Sequence, residues 1–283
     1  LLELGGCSDK LEELQLNNNF AGGTDFTKTA DMQLAIIGVY AAFQDRGWEQ
    51  PLLISVRGDD VNAGGLGDQQ DFSETDLFNY NKDYWMYNSL WENVYKDVIT
   101  THTAMEQIQR YQEFANVSGV ALGNQYIAEA KVIRAMMLFQ ISQVFGDVFI
   151  PESSDTQQLL SVEVLPTKDE VMQHISDQMD EAIPFLLDVD PNSRLDLPGG
   201  ATIYTALAIK AMANQELENY QVVADATGQI INSGKISLYP DFYELFKTPG
   251  KSSNENILSF QYSAYGQSQG DAHTQLYAPY RPA

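Results

Sequence analysis

Polar and aromatic residues at the two ends of a glycine-bearing loop have the chemistry needed to bind a sugar. Asp59, Asp60 and Asn62 lie within the loop, and Tyr84 and Trp85 follow at its far end. A flat aromatic ring stacks on the apolar C–H face of a pyranose or furanose, while carboxylates and amides hydrogen-bond its hydroxyl groups. These five residues therefore predict a carbohydrate site in which the aromatic side chains are exposed.

The same two aspartates are also candidates for the carboxylate pair of a glycosidase. Adjacent residues point in different directions, however, and close acidic pairs arise by chance in a chain with 39 Asp and Glu residues. The sequence has no G-x-S-x-G, Walker or H-E-x-x-H motif that would indicate another enzyme class. We expect a protein that is not an enzyme.

Three groups of residues are candidates for holding metal ions. Asp188, Asp190 and Asn192 imitate the start of an EF-hand loop, but Ser193 replaces its glycine and Gly199 its bidentate glutamate, so the pattern fails. The histidines are too scattered for a zinc motif: His102, His174 and His273. Acidic loop residues have two interpretations, a surface calcium site or simple solvation: Asp68, Asp71 and Asp76. We expect no cofactor and no metal.

Cys7 is the single cysteine, which excludes an intramolecular disulfide. It follows Leu4, Gly5 and Gly6 in an arrangement that resembles a bacterial lipobox, although Ala or Ser is usual in place of Gly5. The alternative is a cysteine of no importance. A polar, asparagine-rich segment follows, and we predict a flexible tether over residues 1–19 and a folded domain over 20–283.

The composition excludes several classes of partner. The 283 residues include 16 basic and 39 acidic side chains, a formal charge of -23, which repels nucleic acid and anionic lipid. At 44% hydrophobic residues the chain has enough apolar surface to fold. No apolar run reaches the ~18 residues that a membrane-spanning helix needs.

The spacing of apolar residues predicts an all-α fold of stacked helical hairpins with long irregular loops and few short strands. Helices are indicated from Met32 to Phe43, Trp85 to Tyr111, Ile127 to Phe145, Thr167 to Leu186, Ala201 to Leu217 and Tyr220 to Ser233. Thr167 and Glu170 form a predicted capping box. Residues 47–83 are predicted to be loop, and alternation favours a strand over Ile257–Tyr262.

Three segments resemble the SusD/RagB family of glycan-binding lipoproteins. The first is the aromatic spacing of Trp91, Tyr95 and Ile99, with His102 where the family often has Asn. The second runs from Glu129-Ala130 through Arg134-Ala135 to Phe145-Gly146-Asp147-Val148 and Pro151, similar to the E-A-x-x-x-R-A helix and F-G-D-V motif of the family. The third covers residues 201–262.

The resemblance implies a tetratricopeptide-like α-superhelix, lipid-anchored on the outer face of a Gram-negative outer membrane. It implies a protein that captures oligosaccharide for a SusC-like TonB-dependent transporter without catalysis. The acidic residues behind Cys7 resemble an export signal: Asp9, Glu12 and Glu13. The family usually continues for about as long again, so we expect the C-terminal part of its fold to be missing here.

In this family a capture tryptophan commonly comes from the region of Trp85, which makes Trp85 the leading candidate. Its alternative role is to anchor the start of the helix in the core. Trp91 lies on the apolar stripe and is expected in the core, and Trp48 suits either role. The alternative function is a helical-repeat scaffold that binds a protein partner through an apolar groove.

Overall fold

The computed structural model describes residues 23–44, 55–58, 70–245 and 247–261. The fold is all-α, as predicted, and no strand occurs within these ranges. The α-helices are α1 (Met32–Gln44), α2 (Gln70–Asp76), α3 (Trp85–Gln112), α4 (Val117–Phe145), α5 (Lys168–Ala182), α6 (Ile203–Glu216), α7 (Tyr220–Asn232) and α8 (Phe242–Leu245). Short 3-10 turns cover Thr29–Asp31, Thr156–Leu160, Ile183–Phe185, Pro191–Ser193 and Thr248–Ser252.

Local hydrogen bonds determine where several helices begin. The predicted capping box is present at α5, where the Thr167 side chain accepts from the Glu170 N–H and the Glu170 carboxylate accepts from the Thr167 N–H. Helix α4 starts well before the stripe that begins at Ile127, because the Asn116 side chain accepts from the Gly119 N–H at 2.9 Å. Side chains that satisfy the first free N–H groups stabilise a helix start by about 1 kcal/mol.

The helices stack as antiparallel hairpins around one main core. Consecutive helices from α3 to α7 pack on each other, and α1 packs against both α3 and α4. The predicted apolar face of α1 is confirmed, since Met32, Ile36 and Val39 are all buried. Buried alanines of α6, Ala206 and Ala213 among them, let its neighbours approach closely.

The strand predicted over Ile257–Tyr262 is wrong for residues 257–261, which form no ladder. Among the described residues, a single backbone hydrogen bond joins this segment to the chain before α6, from the Ser259 N–H to the Gly199 carbonyl at 2.9 Å. The chain before α6 turns away at Gly199, whose φ is +82°, so the two segments form no further ladder hydrogen bond. A Cβ at Gly199 would lie 2.5 Å from the Ser259 carbonyl oxygen, which explains the glycine. The apolar residues Leu258 and Phe260 pack on the core instead.

In the described part of the loop predicted over residues 47–83, residues 70–76 instead form helix α2, which ends in the segment that leads to α3. Within the described ranges, no helix has both the length and the apolar character needed to cross a bilayer.

Candidate functional site

Trp85 is the first residue of α3, and 55% of it is exposed. Tyr84, directly before it, is only 4% exposed, so the prediction that both rings are exposed is wrong for Tyr84. The edge of the Tyr84 ring packs on Phe72 of α2 at 6.3 Å between centroids, and its hydroxyl donates to Met86 Sδ at 2.9 Å. The anchor that fixes the start of α3 in the core is therefore Tyr84, and Trp85 presents its ring to solvent.

The turn between α2 and α3 supplies two further exposed aromatic residues, Phe78 at 59% and Tyr80 at 48% exposure. Phe78 has a φ of +56°. Its N–H donates to the Thr75 carbonyl at 3.0 Å and the Asn79 N–H donates to the Glu74 carbonyl at 2.8 Å, the two bonds of a Schellman motif. Glycine is the usual residue there, because a side chain in the left-handed region costs about 1 kcal/mol.

Edge-to-face contacts link these rings to the core. Phe78 packs on Tyr80 at 6.0 Å, and Tyr80 packs on the half-buried Tyr87 at 6.2 Å. Tyr87 in turn contacts Tyr84 at 5.6 Å, and Tyr84 contacts Trp85 at 6.2 Å. We call the three exposed residues Phe78, Tyr80 and Trp85 the aromatic platform. Its rings are held by packing against α3 and so lose little conformational freedom on binding a ligand.

Polar groups surround the aromatic platform. The Arg57 guanidinium lies 5.9 Å from the Tyr80 ring centroid, and its Nη1 donates to the Gln143 carbonyl at 2.9 Å. The side chains of Asn79, Asn81 and Lys82 are exposed on the turn itself. Guanidinium, amide and ammonium groups beside aromatic rings are the donors and acceptors that hydroxyl-rich ligands require.

Several predicted site residues lie outside the described residues: Asp59, Asp60, Asn62, Trp48 and the lipidation candidate Cys7. Trp91 is half-buried, with its ring 5.1 Å from Phe145 and 4.7 Å from Tyr95, which agrees with the core role expected for it.

Two carboxylates of the rejected EF-hand pattern serve the fold. Asp188 accepts a hydrogen bond from the Tyr204 hydroxyl, and Asp190 accepts from the Asn192 N–H at 2.9 Å. Over the described ranges, no group of three or more His, Cys, Asp or Glu side chains is arranged to hold a metal ion.

Sequence analysis missed Phe78, Tyr80 and Arg57. A usable signal is present in Phe78-Asn79-Tyr80-Asn81, where aromatic residues alternate with asparagine in a turn directly before a helix. Two large rings among the asparagines of a turn are candidates for exposed aromatic side chains.

Residues 24–208, more than half of the chain, match the family model SusD-like_3, whose description is "Starch-binding associating with outer membrane". No curated protein has a significant sequence match to the chain.

The fold is similar to those of several solved structures. A SusD-like carbohydrate-binding protein from Bacteroides fragilis is 18% identical, with a TM-score of 0.68 over 84% of this chain and 47% of that one. Surface glycan-binding protein A from Bacteroides thetaiotaomicron, in complex with laminarihexaose, is 19% identical, with a TM-score of 0.68 over 82% and 49%. A SusD superfamily protein from Bacteroides vulgatus is 16% identical, with a TM-score of 0.69 over 83% and 50%. The chain spans about half the length of these structures.

Proposed function

The chain belongs to the SusD-like family, and from that premise we propose that it is a non-catalytic protein that captures oligosaccharides at the outer membrane for a SusC-like TonB-dependent transporter. The observation that carries the proposal is the aromatic platform. Three exposed rings are held at the start of α3, and one of them, Phe78, is kept there in an unfavourable backbone conformation. An aromatic residue that is both strained and exposed is stabilising no core, which indicates a role in binding.

The ligand class follows from the chemistry of the platform and its surroundings. Stacking on Trp85 suits the apolar face of a sugar ring, and Arg57 and the turn amides suit its hydroxyl groups. The related protein from Bacteroides thetaiotaomicron was solved with laminarihexaose, and the family description names starch. A glucan oligosaccharide is therefore the first ligand class to test.

Asp59, Asp60 and Asn62 stay in the proposal as further hydrogen-bonding groups for the same ligand. Their positions follow Arg57 and Gly58 in the chain. The amide variants Asp59→Asn and Asp60→Asn test whether these carboxylates only accept hydrogen bonds or whether binding needs their negative charge. If the carboxylates only accept hydrogen bonds from hydroxyl groups, the affinity falls by less than about tenfold, since a neutral bond contributes on the order of 1 kcal/mol.

Attachment to the membrane is proposed through a lipid on Cys7, with Asp9, Glu12 and Glu13 as the export signal. Expression in a Bacteroides host with labelled fatty acid tests this directly. Label should be incorporated into the wild-type chain and not into Cys7→Ala, and replacement of the three acids should keep the label while the protein is lost from the cell surface. Label in the Cys7→Ala variant would contradict the anchor.

The binding proposal is tested by calorimetry with laminarihexaose, maltohexaose and a wider glycan panel, with released reducing ends assayed in the same mixtures. Trp85→Ala should weaken binding at least about tenfold, which corresponds to about 1.4 kcal/mol. The matched control is Phe114→Ala, since Phe114 is 57% exposed just beyond the other end of the same helix. That variant should bind as the wild type does.

Each other outcome contradicts a distinct part of the proposal. Cleavage of a glycan would show an enzyme. Equal loss of affinity in Trp85→Ala and Phe114→Ala would show that the glycan does not bind at the aromatic platform. Binding to no glycan would favour the helical-repeat scaffold that recognises a protein partner.

A further inference from the structure

A second site lies more than four helical turns away from the aromatic platform. A cavity of about 490 Å³ opens between α3, α4 and α5 and the segment that connects α4 to α5. The helices contribute the polar residues His102 of α3, Arg134 of α4, and His174 and Gln178 of α5 to its lining, and the connecting segment contributes Glu152. His102 is about 25 Å along α3 from Trp85 at a rise of about 1.5 Å per residue, so one small ligand cannot occupy both places.

Arg134 brings a positive charge into this cavity. The residue is only 7% exposed, and in the described part of the chain no carboxylate lies within ion-pair distance of it. Glu181 of α5 attracts the guanidinium, but its carboxylate is paired with Lys131 at 2.7 Å. Burial lowers the pKa of Arg134 to about 10, so the guanidinium is still charged at neutral pH. A buried charge without a direct ion-pair partner is costly, by several kcal/mol.

The neighbours of Arg134 are neutral hydrogen-bonding groups. Gln178 Oε1 accepts from Arg134 Nη2, and the His102 ring lies against Arg134 Nη1, with Nε2 at 2.8 Å and Nδ1 at 3.3 Å from it. His102 Nε2 is also 3.0 Å from the Pro151 carbonyl, so the imidazole lies between the guanidinium and that carbonyl. Neither contact neutralises the guanidinium.

His174 contributes an unsatisfied group. Its Nε2 is buried and has no hydrogen-bond partner among the described residues, although the residue lines the same cavity. Buried polar atoms without a protein partner are rare in folded proteins, and a bound water or ion is one way in which such an atom is satisfied. A negatively charged group between Arg134 and His174 would satisfy both residues.

We propose that this cavity binds the carboxylate of a small organic molecule through Arg134 and His174. A guanidinium matches the geometry of a carboxylate, and the volume falls in the range of about 300–1,000 Å³ that is typical of small-molecule sites. A bare ion would leave most of that space empty. Phe149, Ile150 and Val164 also line the cavity and offer apolar contact to the body of the ligand.

Glu152 provides an internal test, because it is exposed and lines the same cavity. Its carboxylate repels a bound anion, so Glu152→Gln should tighten binding. Removal of the positive charge in Arg134→Gln should abolish binding, and loss of the free donor in His174→Ala should weaken it at least about tenfold. Changes of opposite sign at two lining residues are not expected from general damage to the fold.

The experiment is a titration of the whole chain with D-glucuronate, followed by the imidazole C–H signals in NMR. The chain has three histidines, and two of them line the cavity, so the spectrum is simple and His174→Ala assigns one signal. Glucuronate should shift the His102 and His174 signals saturably, and D-glucose should not. Arg110→Gln is the matched control for Arg134→Gln, since it removes an equal charge from an exposed position of α3, the helix that carries His102.

Saturable shifts that persist in Trp85→Ala would support a site separate from the aromatic platform. If Arg134→Gln fails to fold, His174→Ala and Glu152→Gln decide between the outcomes. The proposal would be overturned if glucuronate caused no shift, if glucose caused equal shifts, or if sulfate shifted the signals and glucuronate did not. A loss of binding in Trp85→Ala would also overturn it, because the ligand would then belong to the platform.

Discussion

Phe78 shows at the scale of one residue how binding and stability oppose each other. The Schellman turn that ends α2 needs a left-handed residue, and glycine would meet that need without strain. The chain instead has a phenylalanine with a φ of +56°, whose ring is largely exposed and contacts Tyr80. We attribute the presence of phenylalanine in this unfavourable backbone conformation to the role of its ring in the aromatic platform.

The change Phe78→Gly should therefore stabilise the fold and weaken glycan binding together. We expect a gain of about 1 kcal/mol in the free energy of unfolding, from relief of the left-handed side chain. Affinity for the glycan should fall several-fold because one ring of the platform is lost. Urea unfolding and calorimetry measure the two effects. A variant that loses both stability and affinity would show that Phe78 has a structural role.

His102 predicts how stability depends on pH. Burial and the charge of Arg134 lower its pKa to about 4, from an ordinary value of 6.5. Because the folded form resists protonation and the unfolded form does not, the stabilisation is complete above pH 6.5 and is lost as the pH falls toward 4. Burial and the charge of Arg134 also lower the pKa of His174, so His174 contributes a pH dependence of the same sign. The charge of Glu106 opposes the lowering of the His102 pKa.

Replacement of His102 by asparagine removes this titration. Between pH 6.5 and 4 the wild type should lose on the order of 2 kcal/mol more than His102→Asn. Urea unfolding of both proteins across that range measures the difference. Parallel pH profiles would show that His102 titrates normally in the folded protein.

At the scale of elements, a buried ion pair ties α4 to the segment before α6. Arg194 Nη2 lies 2.9 Å from Glu129 Oε1, and the two side chains are 1% and 0% exposed. Glu129 also accepts from the Tyr40 hydroxyl at 2.7 Å, which brings α1 into the same network. Desolvation raises the pKa of Glu129, although the bonds from Arg194 oppose this. The network thus connects three elements that are distant in sequence.

Removal of one partner should be worse than removal of both. Arg194→Met leaves a buried carboxylate without its counter-charge and should cost about 3–5 kcal/mol of unfolding free energy, whereas the double change Glu129→Met and Arg194→Met should recover much of it. Denaturant unfolding of the single and double variants gives the coupling energy. Additive losses would show that the pair contributes no mutual stabilisation.

The features that could be predicted from the sequence are those formed by residues close together in the chain. The Thr167–Glu170 capping box joins two residues that are three positions apart, and each apolar stripe of α1, α3 and α5 repeats within one helix, so both features could be found by inspection. The exposure of Trp85 and the burial of Tyr84 depend on Phe72 in another element, which no local pattern shows. The left-handed turn at Phe78 was missed because the residue there is not glycine. The cavity around Arg134 needs side chains from three helices.

At the scale of the whole molecule, the charge of -23 favours a neutral ligand at the aromatic platform. Stacking and hydrogen bonds to hydroxyl groups involve no net charge, so salt has little to screen. The affinity for a neutral oligosaccharide should change by less than about twofold between about 50 and 500 mM NaCl. Calorimetry at both salt concentrations measures this. Steep salt dependence would indicate a charged ligand.

The central claim is that a glycan covers the Trp85 ring, and acrylamide quenching of tryptophan fluorescence tests it most directly. The chain has three tryptophans, so Trp85→Phe removes the signal of interest while it keeps an aromatic ring in place. With saturating oligosaccharide, the quenching constant of the wild type should fall, and that of Trp85→Phe should stay unchanged although the variant still binds. Equal protection in both proteins, or none in a wild type that binds glycan by calorimetry, would contradict the account.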